Sequence, residues 1–213
     1  MIKIQVCFTI PNGMDVTNTI AYKCYSSLPK HELIQITDIT AIGASIGKNR
    51  NLCILNGRQE FKVQTDLEFD YYLFIDYDIA FNYDHIMMLL NADKKIITGN
   101  YPDKNGNGDM HAGHWAHPGV IGTKGLYTNP GIAKVDWCGG GFLMIHKSIL
   151  EEVPYPWFRA FVIDIGDMAT CTSEDVGFCI HMGQNNQEIW CNYDCKLVHM
   201  KDGQLNNYTK LGG

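Results

Sequence analysis

Several kinds of segment are absent from this 213-residue sequence, and each absence excludes a class of protein. No stretch approaches the ~18 consecutive apolar residues of a membrane-spanning helix, so we expect no membrane span. No run of lysine and arginine occurs and the net charge is −6, which argues against a protein that follows the phosphates of a nucleic acid. With neither an internal repeat nor a linker-like stretch, the chain predicts one globular domain with a sizeable core.

The eight cysteines include no Cys-x-x-Cys pair, and their irregular spacings do not suggest a disulfide framework. Cys7 and Cys53 fall in apolar segments, where small buried thiols are common. We therefore expect free thiols and a reducing compartment, the cytoplasm. The apolar stretch at residues 1–10 is too short for a secretory signal and continues into Pro11, so we interpret it as a first buried strand.

Strand patterns alternate with helix patterns along the chain, as is typical of an α/β sheet. Strand patterns occur at residues 2–10, 32–37, 71–75, 95–98, 135–145, 189–191 and 196–199. Helix patterns occur at residues 15–28, 45–61, 84–90, 148–153 and 173–182. Ser45, Asp84 and Ser173 are the predicted N-caps of three of these helices. Residues 102–131 are rich in Gly, Asn, His and Pro, and we predict a long functional loop there with one short strand at 119–123.

The most informative segment is the apolar run at residues 71–75, which ends in Asp76-Tyr77-Asp78. Ligands of open α/β sheets bind beyond the carboxyl ends of the strands. Alternate residues of an extended strand share one face, so both carboxylates can point toward one cation. A divalent cation held there can act as a Lewis acid and neutralise charge that grows on a diphosphate leaving group. The alternative is a pair of solvated carboxylates in a turn.

Five further segments accompany this motif in chain order: Thr9-Ile10-Pro11, Asn49-Arg50-Asn51, Trp137-Cys138-Gly139-Gly140-Gly141, Glu174-Asp175 and Val198-His199. With Asp-x-Asp included, their order resembles the GT-A glycosyltransferases over most of the chain. The resemblance implies a single α/β domain over residues 1–213, with a mostly parallel mixed sheet flanked by helices. It also implies a nucleotide-binding half at about 1–100 and an acceptor-binding and sugar-binding half at about 101–213.

The resemblance implies a role for each residue of the donor site. Thr9 and Pro11 would line the nucleotide pocket, and Arg50 would reach the base or the diphosphate. Asp78 would bind the metal directly, whereas Asp76 would contact the ribose or reach the metal through water. For Arg50 the alternative is a solvated side chain on the surface of its helix.

His199 would complete the metal site from the last strand, although a lone histidine is more often structural. A set of carboxylate, imidazole and phosphate ligands suits Mn²⁺ or Mg²⁺ better than an ion that prefers thiolates.

The remaining segments would meet the sugar and the acceptor. Gly139 and Gly140 would let a ligand approach the backbone, with a β-bulge as the alternative. Trp137 and Trp157 are candidates for stacking on a sugar ring, unless they belong to the core. In inverting members of the family, a carboxylate of the acidic pair is the general base. Glu174 and Asp175 are therefore the catalytic candidates, with Asp175 preferred, although acidic residues also stabilise any first helical turn.

The predicted function is a metal-dependent glycosyltransferase (a hexosyltransferase-like enzyme) that uses a nucleotide-diphosphate donor, with a UDP-sugar such as UDP-glucose as the default. The acceptor would be a glycan or glycoprotein. Within the family, the sequence most resembles chlorella virus enzymes that glycosylate capsid protein, which would place the reaction in a host cytoplasm. Two rival functions remain open, a sugar-nucleotide nucleotidyltransferase and a non-catalytic carbohydrate-binding module.

Two further patterns carry less weight. Residues 103–108 resemble the start of an EF-hand calcium loop, but the twelfth position is His114 rather than Glu. His111, His114 and His117 recur every three residues without the spacing that zinc sites usually have. For this segment we prefer a mobile acceptor-binding loop.

Overall fold

The computed structural model describes residues 1–43, 45–56, 67–102, 109–117, 119–126, 129–166 and 168–200. The helices are α1 (Ile20–Ser26), α2 (Ile46–Ile54), α3 (Tyr83–Leu90), α4 (Lys147–Glu152) and α5 (Glu174–Gln184). The strands as far as the middle of the chain are β1 (Ile2–Ile10), β2 (Ile34–Ile42), β3 (Tyr71–Asp76), β4 (Ile79–Ala80), β5 (Ile96–Asn100), β6 (Asp109–His117) and β7 (Val120–Leu126). The later strands are β8 (Ile132–Val135), β9 (Trp137–Cys138), β10 (Phe142–His146), β11 (Val162–Ile165), β12 (Met168–Cys171), β13 (Ile189–Lys196) and β14 (Val198–His199).

The central element is a seven-stranded sheet in the order β2-β1-β3-β10-β5-β13-β8. Five of these strands run in one direction, because β1 pairs in parallel with β2 and β3, and β13 pairs in parallel with β5. The strands β10 and β8 run antiparallel to their neighbours. The predicted mostly parallel mixed sheet is therefore confirmed, and β10 from the second half of the chain lies inside it, between β3 and β5.

The two faces of the sheet are covered by different helices. Side chains of α1 and α3 pack with one set of strand residues, and side chains of α2, α4 and α5 pack with the alternate set. In β3, Leu73 and Ile75 belong to the first core, whereas Tyr72 and Phe74 belong to the second. Because successive strand residues face opposite ways, the apolar residues 72–75 of β3 are buried on both sides of the sheet. Asp76 lies two residues after Phe74, so it is on the same face of the sheet, the face covered by α2 and α5.

Several local predictions agree with the structure. The first strand has the predicted bounds, Ile2–Ile10, and Ser45 caps α2 by accepting a hydrogen bond from the Lys48 amide. Ser173 stands at the N-cap of α5. The helix α2 ends at Ile54, earlier than predicted, and residues 57–61 of the predicted helix lie outside the described part.

The N-cap of α3 is Asn82 rather than the predicted Asp84. The Asn82 side chain accepts from the His85 amide, and the His85 side chain accepts from the Asn82 amide. The two residues therefore form a reciprocal capping box, in which histidine replaces the usual Glu or Gln.

The prediction of a long loop at 102–131 is wrong for the described residues, because β6 and β7 form an antiparallel hairpin there. The glycines that suggested a loop are required by close backbone contact. A Cβ on Gly113 would overlap the carbonyl of Thr123, and a Cβ on Gly122 would lie 2.6 Å from the amide nitrogen of Ala116. Residues 103–108, which carry the calcium-loop pattern, lie outside the described part.

The prediction of one strand at 135–145 is also wrong. β8 and β10 belong to the central sheet, whereas β9 pairs with β6 in a three-stranded sheet of order β7-β6-β9. The three glycines at 139–141 separate β9 from β10. The chain therefore passes from one sheet to the other at these glycines.

All eight cysteines lie among the described residues, and each is a free thiol, as predicted. Within the ranges given above, the model contains no helix that is both long enough and apolar enough to cross a membrane.

Candidate functional site

Arg50 and Asp76 form the centre of a polar site at the carboxyl edge of β3. Asp76 is the last residue of that strand, and Arg50 projects from α2, which packs on β1 and β2. Nη2 of Arg50 lies 3.0 Å from Oδ1 of Asp76, and Nη1 lies 2.9 Å from Oε1 of Glu174 in the first turn of α5. The guanidinium of Arg50 thus links α2 to the end of β3 and to the start of α5, three elements that are far apart in the sequence.

The Arg50 side chain is buried, with only 2% of its surface exposed, so the alternative of a solvated helix-surface arginine is excluded. Burial alone would lower the pKa of Arg50, but the carboxylates of Asp76, Glu174 and Asp175 raise it above its ordinary value. Cζ lies 5.5 Å from the ring centroid of Phe158, within the range of a cation–π contact. Arg50 therefore carries a fixed positive charge among carboxylates.

The start of α5 carries two acidic residues with different surroundings. The pKa of Glu174 is raised, chiefly because burial disfavours its ionised form; Arg50 opposes this shift and the charge of Asp175 adds to it. Oδ1 of Asp175 accepts a hydrogen bond from the Val176 amide at 2.8 Å and contacts the Ser173 hydroxyl. Both carboxylates also benefit from the positive end of the helix dipole. A first-turn structural role and a catalytic role are compatible with this geometry.

Asp78 and His199 meet beside this site. The antiparallel pairing of β4 and β14 places His199 opposite Ile79, next to Asp78 in sequence. Nε2 of His199 lies 3.5 Å from Oδ1 of Asp78, and the two side chains are only 9% and 7% exposed. Nδ1 of His199 lies 2.9 Å from the carbonyl oxygen of Pro102, which can only accept, so this nitrogen carries a proton. The tertiary structure thus brings together two residues that the sequence proposed as metal ligands.

Tyr101 and His111 are site residues that the sequence analysis did not assign to the metal or donor site. The Tyr101 hydroxyl accepts the Gly141 amide hydrogen at 2.9 Å. The ring of Tyr101 stacks on His111 with centroids 5.1 Å apart and meets the His199 ring edge-on at 5.6 Å. A Cβ on Gly139 would overlap the same hydroxyl. Tyr101 directly follows the buried strand β5, at the edge of the sheet where Asp76 ends β3. This position after a strand is the signal by which the sequence could have identified Tyr101 as a site residue.

The predicted donor-side residues lie at the same edge of the sheet. Thr9 pairs with Asp76 across β1 and β3 and is buried, and Pro11 follows the end of β1 and is exposed. The Asp76 amide donates to the carbonyl of Gly141 at 3.0 Å. The glycine segment 139–141 therefore lies directly against the end of β3.

The two tryptophans proposed for sugar stacking belong to the hydrophobic core. Trp157 is fully buried, and its Nε1 donates to the carbonyls of Leu150 and Val153. Trp137 is 4% exposed and stacks on Trp115, with the centroids 6.1 Å apart. Because neither ring exposes much surface to a ligand, both tryptophans are better described as core residues than as platforms for a sugar ring.

The residues present can be compared with the needs of a divalent cation. Across the residues that the structure describes, no three His, Cys, Asp or Glu side chains converge as a complete metal site. Asp78 and His199 do converge. Nε2 of His199 faces Oδ1 of Asp78, so one imidazole nitrogen and one carboxylate oxygen lie side by side. Mg²⁺-type sites commonly use one or two carboxylates plus substrate phosphates, so the Asp78 carboxylate fits such an ion, and His199 would add one nitrogen ligand.

The histidines of β6 do not gather into a zinc site within the described residues. His111 faces Tyr101 and His199, whereas Nδ1 of His114 lies 3.1 Å from Oδ2 of Asp136. Residues three apart on a strand point to opposite faces, which explains this division.

No protein-family model matches the chain, and no curated protein sequence matches it. The chain does match solved structures. A197 from STIV is 16% identical, with 95% of each chain covered and a TM-score of 0.54. A structure of GalNAc-T7 with UDP, GalNAc and Mn²⁺ is 9% identical, with 94% of this chain covered and a TM-score of 0.56. Both are GT-A glycosyltransferases. The chain has the GT-A fold.

The GT-A likeness extends over nearly the whole described chain, although this chain spans 44% of the GalNAc-T7 chain. At these identities the comparison shows the fold, and the function must be argued from the site. Neither structure is that of a chlorella virus enzyme, so the narrower viral resemblance stays a prediction. In this GT-A sheet the polar site lies where ligands of open α/β sheets bind, beyond the carboxyl ends of β1 and β3.

Proposed function

We propose that the protein is a metal-dependent glycosyltransferase that takes a nucleotide-diphosphate sugar, with UDP-sugar as the default donor. The observation that carries this proposal is the meeting of Asp78 with His199 beside the Arg50–Asp76 ion pair, at the carboxyl edge of a GT-A sheet. Asp76 ends β3, Asp78 lies in the turn between β3 and β4, Arg50 comes from α2 and His199 from β14. No single secondary structure element explains their proximity.

The charge of the site supports dependence on a cation. Among the described residues, the carboxylates of Asp76, Glu174 and Asp175 act on the guanidinium of Arg50, and the Asp78 carboxylate lies against His199. A diphosphate is itself anionic, so this surface would repel it. In the proposal Asp78 and His199 hold Mn²⁺ or Mg²⁺. The bound ion would neutralise the growing charge of the leaving diphosphate.

The protein side chains have distinct roles in the proposal. Arg50 holds Asp76 and Glu174 in fixed positions, so Asp76 is oriented for the ribose or for a metal-bound water. Asp175, half-buried in the first turn of α5, accepts the proton of the acceptor hydroxyl in this proposal. Thr9 and Pro11 line the nucleotide pocket. The space beside the glycines at 139–141 is filled by Tyr101 and Arg50, so these glycines serve the packing of the site.

The acceptor in this proposal is a glycan or a glycoprotein, and the resemblance to chlorella virus enzymes makes a capsid glycan the first one to try. The structure of one fold neighbour, GalNAc-T7, contains UDP, GalNAc and Mn²⁺. That composition supports the choice of UDP-sugars and manganese as the first reagents.

The proposal is tested by thermal unfolding with UDP, GDP, CMP and dTDP, each with and without Mn²⁺. A ligand that binds only the folded state raises its stability by about 2.7 kcal/mol at one hundred times its Kd. We expect an upward shift of Tm with one nucleotide, only when Mn²⁺ is present. No shift with any nucleotide would contradict the proposal and favour a carbohydrate-binding module.

Two variants separate the metal site from unspecific effects. Asp78→Asn and His199→Gln should abolish the Mn²⁺-dependent shift while leaving the Tm without ligand within a few degrees. Asp84→Asn is the matched control, because Asp84 is an exposed acidic residue in the first turn of α3. Retention of the full nucleotide shift in Asp78→Asn would remove Asp78 from the metal site.

A further inference from the structure

A second cleft lies on the α5 side of the sheet, away from the Arg50 site. It has a volume of about 640 Å³ and is bordered by β6, β8, the end of α5 and the start of β13. This volume falls within the ~300–1,000 Å³ of small-molecule sites, enough for a ligand larger than one sugar ring. None of the residues proposed to bind the nucleotide or the metal lines this cleft.

Trp115 forms the aromatic wall of the cleft. The ring is half-buried and rests on the buried Trp137 ring, with the two planes 30° apart. The Trp115 amide donates to Oδ2 of Asp136 at 3.1 Å, and the same oxygen lies 3.1 Å from Nδ1 of His114. The indole is thus held in place before any ligand arrives. A rigid aromatic face suits the apolar face of a pyranose.

The polar groups of the cleft include both donors and acceptors of hydrogen bonds. Lys134 and Glu188 form an ion pair of 3.0 Å across it, and both side chains are more than half exposed. The side chains of Asp136 and Gln184 add a carboxylate and an amide. Two carboxylates and one already paired ammonium disfavour a phosphate or another anion. Hydroxyl groups, which donate and accept, match this mixture.

The cleft is placed within reach of the proposed reaction centre along α5. Glu174 begins this helix and Gly183 lies nine residues later, which corresponds to about 14 Å at 1.5 Å per residue. Trp137 and Cys138 connect the Trp115 wall to the glycine segment at 139–141. A linear oligosaccharide could therefore contact both places.

We propose that this cleft is a subsite for a neutral sugar unit of the acceptor, remote from the unit that reacts. The role as an acceptor subsite rests on the proposed glycosyltransferase function, whereas sugar binding in the cleft does not. Binding of a remote unit would orient the reacting hydroxyl, which is how enzymes use contacts away from the chemistry.

Gly183 offers a direct way to fill the cleft. A Cβ at this position would meet no heavy atom within 4 Å, and Gly183 lines the cleft from the last turn of α5. Gly183→Trp should occupy the space without displacing the backbone, and Gly183→Ala is the matched control that adds only one methyl group. Trp115→Leu removes the aromatic wall and serves as a second variant if Gly183→Trp does not fold.

The test titrates the full chain with lactose, maltose, cellobiose and chitobiose, and with sialyllactose as an anionic comparison, followed by NMR amide shifts. We expect saturable binding of at least one neutral disaccharide to the wild type and to Gly183→Ala. In Gly183→Trp and Trp115→Leu the affinity should fall at least tenfold. Absence of binding to the wild type, preference for sialyllactose, or undiminished binding by the two variants would overturn the proposal.

The UDP and Mn²⁺ thermal shift measured on the same proteins separates the two proposals. Disaccharide binding that depends on Gly183 and Trp115, without any nucleotide shift, would leave the cleft proposal standing and remove the glycosyltransferase proposal. A nucleotide shift without disaccharide binding would do the reverse.

Discussion

The guanidinium of Arg50 fills the space that a side chain on residue 140 would need, so Gly140 and Arg50 require each other. An added Cβ at Gly140 would overlap Cζ and both terminal nitrogens of Arg50. The same guanidinium is held by Asp76 and Glu174 and cannot swing away without breaking two ion pairs. Packing against Arg50 therefore explains why residue 140 is a glycine.

Gly140→Ala should lower the free energy of unfolding by about 1–3 kcal/mol, because overpacking displaces a pinned side chain. Gly183→Ala is the control, since its added methyl group meets nothing and alanine favours a helix by up to about 1 kcal/mol over glycine. Urea denaturation of both variants measures the difference. Equal stabilities would contradict the contact between Gly140 and Arg50.

Arg50→Met should destabilise the fold by about 3 kcal/mol, because it leaves Asp76 and Glu174 without their buried cation. Lys134→Met is the control: its ion pair with Glu188 is exposed and should be worth less than about 1 kcal/mol. Adding Glu174→Gln to Arg50→Met should restore part of the loss, because fewer charges remain unpaired. Additive losses in the double variant would count against the shared ion-pair network.

Glu174→Gln should change how stability depends on pH. The pKa of Glu174 is raised above 4.5 by burial and by Asp175, so the folded state binds its proton more tightly than the unfolded state. This contribution to stability is fully present below 4.5 and is lost as pH rises through the raised pKa. The wild type minus variant difference in unfolding free energy should fall over that window. A difference that rises with pH there would show that the pKa is not raised.

Asp70→Asn is the comparison of opposite sign. The Lys3 amide donates to Asp70 at 2.9 Å, and this hydrogen bond, opposed by burial and assisted by Lys147, lowers the pKa of Asp70 below 3.8. Its contribution to stability is present above 3.8 and is lost as pH falls through the lowered pKa. Parallel denaturation series of the two variants should therefore diverge in acid.

Tyr101→Phe should cost about 1–3 kcal/mol, because the buried amide of Gly141 loses its acceptor. Tyr83→Phe is matched in chemistry but should be neutral or slightly stabilising, since the buried Tyr83 hydroxyl has no hydrogen-bond partner among the described residues. Thermal unfolding of both variants distinguishes them. If Tyr83→Phe lost as much stability as Tyr101→Phe, the loss in Tyr101→Phe could not be assigned to the hydrogen bond from the Gly141 amide.

Asp175→Asn should reduce turnover by about 100-fold or more if this carboxylate is the general base, with little change in donor binding. The measurement is transfer from the donor that the thermal shifts identify, with the nucleotide shift itself as the control for binding. A mild effect would assign the proton transfer to another group or point to a retaining mechanism, which needs no such base.

Much of the fold has a local signature in the sequence. The run from Ile2 to Ile10 is mostly apolar and forms a largely buried strand, and the Ser45 side chain caps α2 as short polar side chains do. The hairpin of β6 and β7 has no such signature. Its glycines allow two backbones to approach, and that requirement arises only when the strands pair.

At the site, two carboxylates after a buried strand could be predicted from the sequence, because the apolar run and the charged residues are adjacent in the chain. The pairing of Asp76 with Arg50 and Glu174, and the meeting of Asp78 with His199, arise only when the strands and helices pack together. Those partners are separated by helices and sheet crossovers, so their proximity depends on strand order and packing. The physical reason is that ion pairs and ring contacts act through space, and chain sequence records only neighbours along the backbone.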